Sequence, residues 1–144
     1  MLQRIQTVYL IIAAIISGIV AFIAPFWNEV NGEMRLLIDL LQYEEAYYRA
    51  IPFLFILSVI GSLVAIFLYK NRTRQIIINR INILINFLLL GIIVYHLLNL
   101  PGESDISEKG IGVFIPLMVI VFLALANKAI LKDEKLVKSV DRLR

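Results

Sequence analysis

The chain has 144 residues, of which 60% are hydrophobic and 17% are charged, with a mean hydropathy of +0.87. A typical soluble domain is about 45–50% apolar and about 25% charged, and a chain of this size has too little interior to cover so much apolar surface. A soluble enzyme, a secreted disulfide scaffold and a disordered tail are therefore excluded. The absence of cysteine and the single histidine also exclude thiolate catalysis, Cys-bound zinc and multi-histidine metal sites. A small membrane protein remains.

Four apolar stretches are each about 20 residues long, which is the length of a helix that crosses about 30 Å of hydrocarbon. They are residues 8–27, 50–69, 81–100 and 111–131. Lys128 is their one charged residue, and they lack the period-two alternation of barrel strands. The sequence predicts an all-α fold in one membrane domain, a bundle of four transmembrane helices.

Basic residues are divided unequally between the two sides of this bundle. The N-terminal segment, the 70–80 loop and the tail from Lys128 hold 11 of the 14 Lys and Arg residues. The segments 28–49 and 101–110 hold the other three, together with eight of the 11 acidic residues. Because basic residues stay on the cytoplasmic side, both termini are predicted to be cytoplasmic. The net charge of +3 is then a topology signal, and we expect no nucleic-acid partner.

The outer segment 28–49 is predicted to be a lid on the outer ends of the spans. Leu37, Leu40 and Leu41 fall at helical spacing, which favours a short surface helix with an apolar face. Extended structure is the alternative, because Ile38 and the tyrosines favour strands. A flap that binds a partner is the functional alternative.

The tail 132–144 is predicted to be a cytoplasmic amphipathic helix that continues the fourth span. Leu136, Val140 and Leu143 give it an apolar stripe, which is the candidate docking face. Two interpretations stay open. The helix lies under the bundle or on anionic headgroups, or it docks a cytoplasmic protein.

Four amides form the candidate polar packing of the third span: Gln75, Asn79, Asn82 and Asn86 share one helical face. An amide in lipid is costly unless it is paired, so this face is predicted to point into the bundle and to bond across helices. A polar cleft open to the cytoplasm is the alternative. His96 completes the candidates as an interfacial, hydrogen-bonded side chain. A haem ligand or a proton relay is disfavoured, because the spans offer neither a second ligand nor a carboxylate.

Small residues and a proline predict how the helices pack. Ala13, Ser17 and Ala21 recur every four residues in the first span, and Ser58 and Ser62 do so in the second. Small-xxx-small faces let backbones approach, so the first two helices are predicted to meet there, with homodimerisation as the alternative. In the fourth span, Pro116 removes a helical hydrogen bond and predicts a kink.

Several segments resemble a known family nearly end to end. They read MLQRIQTVYL at the start, FLYKNR with Gln75 in the middle, and GIGVFIP, LANKAI and KDEKLVKSVDRLR towards the end. The chain resembles a bacterial family of small four-helix membrane proteins known as a domain of unknown function. The resemblance implies a multi-pass protein of the bacterial inner (cytoplasmic) membrane. It supplies no activity, cofactor or catalytic residue.

The residue types and motifs that the sequence lacks exclude further classes of function. The predicted spans contain no Asp or Glu, whereas a proton-coupled transporter needs an intramembrane carboxylate. No serine–histidine pair or phosphate-binding glycine loop is visible. We therefore expect a non-enzymatic accessory or assembly subunit of an inner-membrane complex, without cofactor or metal. Its partners would be membrane lipid and another membrane or cytoplasmic protein. The alternative is a binder or carrier of a lipid or other hydrophobic small molecule, and an enzyme holding haem or quinone through His96 is least favoured.

Overall fold

A computed structural model describes residues 5–28, 34–42, 44, 46–99 and 110–141. Within these residues, four helices are long and apolar enough to cross a membrane. Helix α1 runs over Ile5–Ile15, widens into a π-helical segment at Ile16–Val20 and ends with the turn Ala21–Ile23. Helix α2 is Ala46–Phe67, α3 is Arg72–Asn99, and α4 is Ile115–Asp141. Single 3-10 turns follow α2 at Leu68–Lys70 and precede α4 at Ile111–Phe114.

The four helices close into a bundle. Each helix packs against the next one along the chain, and α4 packs back against α1. Consequently α1 and α3 occupy opposite corners, as do α2 and α4. We call the end at which α1 begins and α2 passes into α3 the basic end, since Lys70, Arg72, Arg74 and Lys132 lie there. We call the other end the hairpin end.

The helix bounds differ from the predicted spans in informative ways. Helix α1 ends at Ile23 and not at residue 27, because Ala24 precedes Pro25 and is extended, with ψ of 135°. Helix α3 begins nine residues before the predicted span at 81. Helix α4 runs through the predicted boundary at residue 131 as far as Asp141. Helices α3 and α4 thus both extend into polar turns at the basic end, which a hydropathy window leaves out.

The outer segment forms a hairpin and a 3-10 turn. Strand β1 (Trp27–Asn28) pairs antiparallel with β2 (Met34–Arg35), and the 3-10 turn spans Asp39–Gln42. The predicted surface helix is therefore wrong for the described part of this segment. The extended alternative, which rested on Ile38 and the tyrosines, is wrong as well, because Ile38 lies in a turn and Tyr48 lies in α2. Leu37 and Leu40 are fully buried. These two leucines cover the hairpin end as a lid.

Two glycines join the start of α4 to the end of α1. The Gly110 N–H donates to the Phe26 carbonyl (3.0 Å), and the Gly112 N–H donates to the Pro25 carbonyl (2.9 Å). A Cβ on Gly110 would overlap the Pro25 carbonyl, and one on Gly112 would lie 2.8 Å from Cδ2 of Phe26. Phe26 itself packs edge-on against Phe55, with 5.8 Å between ring centroids. Only glycine permits this close approach.

Two packing predictions need correction. Pro116 is the second residue of α4 and directly follows the 3-10 turn Ile111–Phe114, so the proline stands at the start of the α-helix, where it is tolerated, and not in its interior. Helices α1 and α2 do approach at Gly18, where a Cβ would lie 3.4 Å from Val59. However, Ser58 and Ser62 accept hydrogen bonds from Asn86 and Asn82 of α3.

Candidate functional site

The buried face of α3 is a continuous heptad-like stripe, and amides fill its basic half. Successive buried positions lie alternately four and three residues apart, which is the spacing of a helix that faces a bundle core. They are Gln75, Asn79, Asn82, Asn86, Leu89, Ile93 and His96. All five predicted polar residues of the third span therefore lie on one stripe, and two apolar residues separate His96 from the amides.

Asn82, Asn86, Ser58 and Ser62 form what we call the asparagine–serine ladder between α2 and α3. The Asn82 amide donates to the Ser58 carbonyl and to Ser62 Oγ, each at 3.0 Å. The Asn86 amide donates to Ser58 Oγ at 2.8 Å and to Asn82 Oδ1 at 3.2 Å. Gly61 makes room for the ladder, because a Cβ there would lie 3.2 Å from the Asn82 amide. The two helices are joined by polar bonds that lipid cannot replace.

Gln6, Gln75, Asn79 and Asn127 form what we call the amide layer near the basic end. The Gln75 amide donates to the Ala65 carbonyl on α2 at 2.8 Å. The Asn79 amide donates to Asn127 Oδ1 on α4 at 3.0 Å. Gln6 on α1 is 1% exposed, and neither of its amide atoms has a hydrogen-bond partner among the described residues. This layer brings polar atoms from all four helices towards the bundle core.

His96 lies at the hairpin end, away from the amides. It is 5% exposed, and its ring meets the Tyr48 ring edge-on, with 4.6 Å between centroids. Within the described residues no three His, Cys, Asp or Glu side chains are grouped so that they could hold a metal ion. The arrangement resembles aromatic packing at a bundle end more than a ligand site.

Beyond residue 131, α4 continues as a charged helix. Lys138 Nζ lies 2.7 Å from Glu134 Oε1, one turn away. The hydrogen bond from Lys138 and the charges of Lys138 and Arg72 hold the pKa of Glu134 below its usual value. Leu136 and Val137 are exposed by 57% and 47%. Of the candidate docking face, the side chain of Val140 and the whole of Leu143 lie outside the described residues.

An apolar groove of about 450 Å³ runs between α1 and α2. It lies beside the π-helical segment, and its lining is almost wholly apolar: Gly18, Ile19, Phe22, Ile23, Ile56, Val59 and Ile60. Within α1, the Ser17 hydroxyl donates to the Ala13 carbonyl at 2.8 Å where the helix widens.

Sequence reasoning missed two members of the amide layer. Gln6 precedes the first predicted span, and Asn127 stands beside Lys128 near the end of the last one. Helical spacing is the signal that could have found both, since Gln6 shares a face with Leu10 and Ala13, and Asn127 with Leu123 and Ile130, all of them buried.

A family model described as a domain of unknown function (DUF4293) matches residues 2–143. Because this match covers nearly the whole chain, the chain belongs to this family. No curated protein and no solved structure was found to match. Its four apolar helices are those of a multi-pass membrane protein.

Proposed function

We propose that this DUF4293 protein is an accessory or assembly subunit of a bacterial inner-membrane complex, with no catalytic role of its own. The observation that carries the proposal is the extension of α4. Ten residues beyond Leu131 span about 15 Å of helix, and Leu136 and Val137 are exposed on them among three lysines. Exposed apolar side chains on a helix that extends beyond the apolar span mark a surface that another molecule covers.

The cover in this proposal is a protein surface on the cytoplasmic side. Lys132, Lys135 and Lys138 stand around the exposed leucine and valine together with Asp133 and Glu134, and Lys138 is paired with Glu134. A complementary partner would therefore offer an apolar pocket with charges of both signs at its rim. Basic residues at this end support its cytoplasmic placement, and with it both termini. The exposed apolar residues of the four helices would face membrane lipid.

We expect Leu136→Ser to reduce recovery of the partner by about tenfold, because loss of an apolar anchor that contributes about 1.4 kcal/mol weakens binding by that factor. The measurement is affinity purification in mild detergent from cells expressing each variant at equal level. Met34→Ser is the matched control, because Met34 is 66% exposed at the hairpin end and its loss should leave recovery unchanged.

Deleting Lys132–Arg144 should remove the same partner and leave a stable four-helix protein. Among the described residues the buried hydrophobic core ends at Ile130, so the expected melting temperature of the deletion variant is close to that of the full chain. Identical partner sets from the full and shortened chains would contradict docking through α4.

The groove between α1 and α2 favours a second candidate function, the binding or carriage of a lipid. Filling it with Gly18→Leu would then displace bound lipid, which native mass spectrometry detects as the loss of a discrete adduct. Lipid retention that depends on Gly18, with no protein that depends on Leu136, would favour this candidate over the first.

A further inference from the structure

Hydrogen-bond donors and acceptors do not balance in the amide layer. Gln6 Oε1, Gln75 Oε1 and Asn79 Oδ1 are buried acceptors without a partner among the described residues, and the Gln6 amide nitrogen is the one buried donor there without a partner. The three side chains are at most 1% exposed. A buried amide oxygen without a donor is costly, so this layer calls for groups that donate hydrogen bonds.

The register of the helices places these atoms at one level. Helices α1 and α4 run antiparallel with Tyr9 packed on Phe122, 6.4 Å between ring centroids. Gln6, one turn earlier, is therefore about level with residues 125–127 of α4. Asn127 lies there and accepts the bond from Asn79. Because α1 and α3 occupy opposite corners of the bundle, the buried side chains of Gln6 and Asn79 lie at about the same level on either side of its axis.

The unpaired atoms themselves decide the class of partner. Three of them accept hydrogen bonds and one, the Gln6 amide nitrogen, donates, so the partner has to both donate and accept. A metal cation or an ammonium group cannot accept a hydrogen bond, and an anion cannot donate one to the acceptor oxygens. A neutral hydroxyl group can donate to these oxygens and accept from the amide of Gln6.

We infer that the amide layer is a binding site for neutral hydroxyl groups, held between Gln6 on α1 and Gln75 and Asn79 on α3. The hydroxyl comes either from water or from a small polyol such as glycerol. A site of this kind would couple the packing of α1 to that of α3, which do not otherwise touch extensively across the bundle.

The first test is a double-mutant cycle on the full-length protein in detergent. Gln6→Met and Asn79→Leu keep side-chain size and remove the amides. If bridging hydroxyl groups link the two amides, each single variant lowers the melting temperature by about 3 °C or more. The decrease in the double variant is then smaller than the sum of the two single decreases. Asn86→Leu is the matched control, since Asn86 lies two turns further along the same face. The drop in melting temperature that it causes should add fully to the drop caused by Gln6→Met.

The direction in which Gln6→Met changes the melting temperature supports or overturns the inference. If nothing bridges Gln6, replacing it removes two unpaired polar atoms and raises the melting temperature. A rise, or full additivity with Asn79→Leu, would overturn the inference. Because a variant can also fail to fold, a second measurement uses the unaltered protein: magnetisation transfer between solvent hydroxyl protons and the Gln6 side-chain amide. Its presence supports the site, and its absence overturns it.

Glycerol separates the two sources of the hydroxyl. As an excluded osmolyte, glycerol raises melting temperatures generally, so the comparison is between the unaltered protein and Gln6→Met. A larger rise in the unaltered protein supports the site with a polyol as its occupant. Equal rises support the site with water as its occupant, provided that the cycle shows coupling.

Discussion

Gly110→Ala is expected to destabilise the protein by about 3 kcal/mol or more, at the upper end of the cost of overpacking a fitted site. Its Cβ would overlap the Pro25 carbonyl, and moving away would break the bond from Gly110 N–H to Phe26. That bond joins the start of α4 to the end of α1. Thermal unfolding in mild detergent measures the effect as a lower melting temperature.

Gly91→Ala is the control for this substitution. Gly91 lies in the interior of α3, and a Cβ there would meet nothing within 4 Å, so alanine should leave the melting temperature unchanged or raise it, given its higher helix propensity. Equal melting temperatures for Gly110→Ala and Gly91→Ala would show that the junction of α1 and α4 does not contribute to stability.

Asn82→Leu is expected to destabilise the bundle by about 1 kcal/mol, taking roughly 0.6 kcal/mol for each of its two interhelical hydrogen bonds as an average. Asn82 donates to the Ser58 carbonyl and to Ser62, and it accepts from Asn86. Leucine keeps the size of the side chain but leaves these partners unpaired, and its branched end must fit against Gly61. The measurement is again the melting temperature in detergent.

Leu84→Ala is the matched control on the same helix. Leu84 is 67% exposed, so its shortening removes contacts with detergent and few with protein, and we expect little change. If Asn82→Leu melts at or above the temperature of the unaltered protein, the asparagine–serine ladder does not stabilise the contact between α2 and α3.

The amide stripe of α3 could be read from the sequence because two general constraints act together. Helical periodicity puts Gln75, Asn79, Asn82 and Asn86 on one face, and the cost of an unpaired amide in lipid decides that this face turns inward. Neither constraint selects the partners. The small residues of α2 suit a close approach to α1 as well as to α3, and only the complete packing assigns Ser58 and Ser62 to α3.

Long-range backbone contacts lay beyond the sequence patterns. Gly110 and Gly112 are separated from Pro25 and Phe26 by more than 80 positions, so nothing local shows that these glycines must clear a carbonyl and a ring. The end of α1 was also predicted too late. The apolar run continues through Phe26 and Trp27, and hydropathy alone outweighed the restriction that Pro25 places on Ala24.

The orientation of the four spans is the central claim, because docking through α4 requires the basic end to be cytoplasmic. Reporter fusions along the chain in bacterial cells test it most directly. We predict cytoplasmic reporters after Thr73 and at Arg144, and external reporters after Gly32 and Ser104. A cytoplasmic reporter at Ser104 would contradict the four-span arrangement with both termini inside.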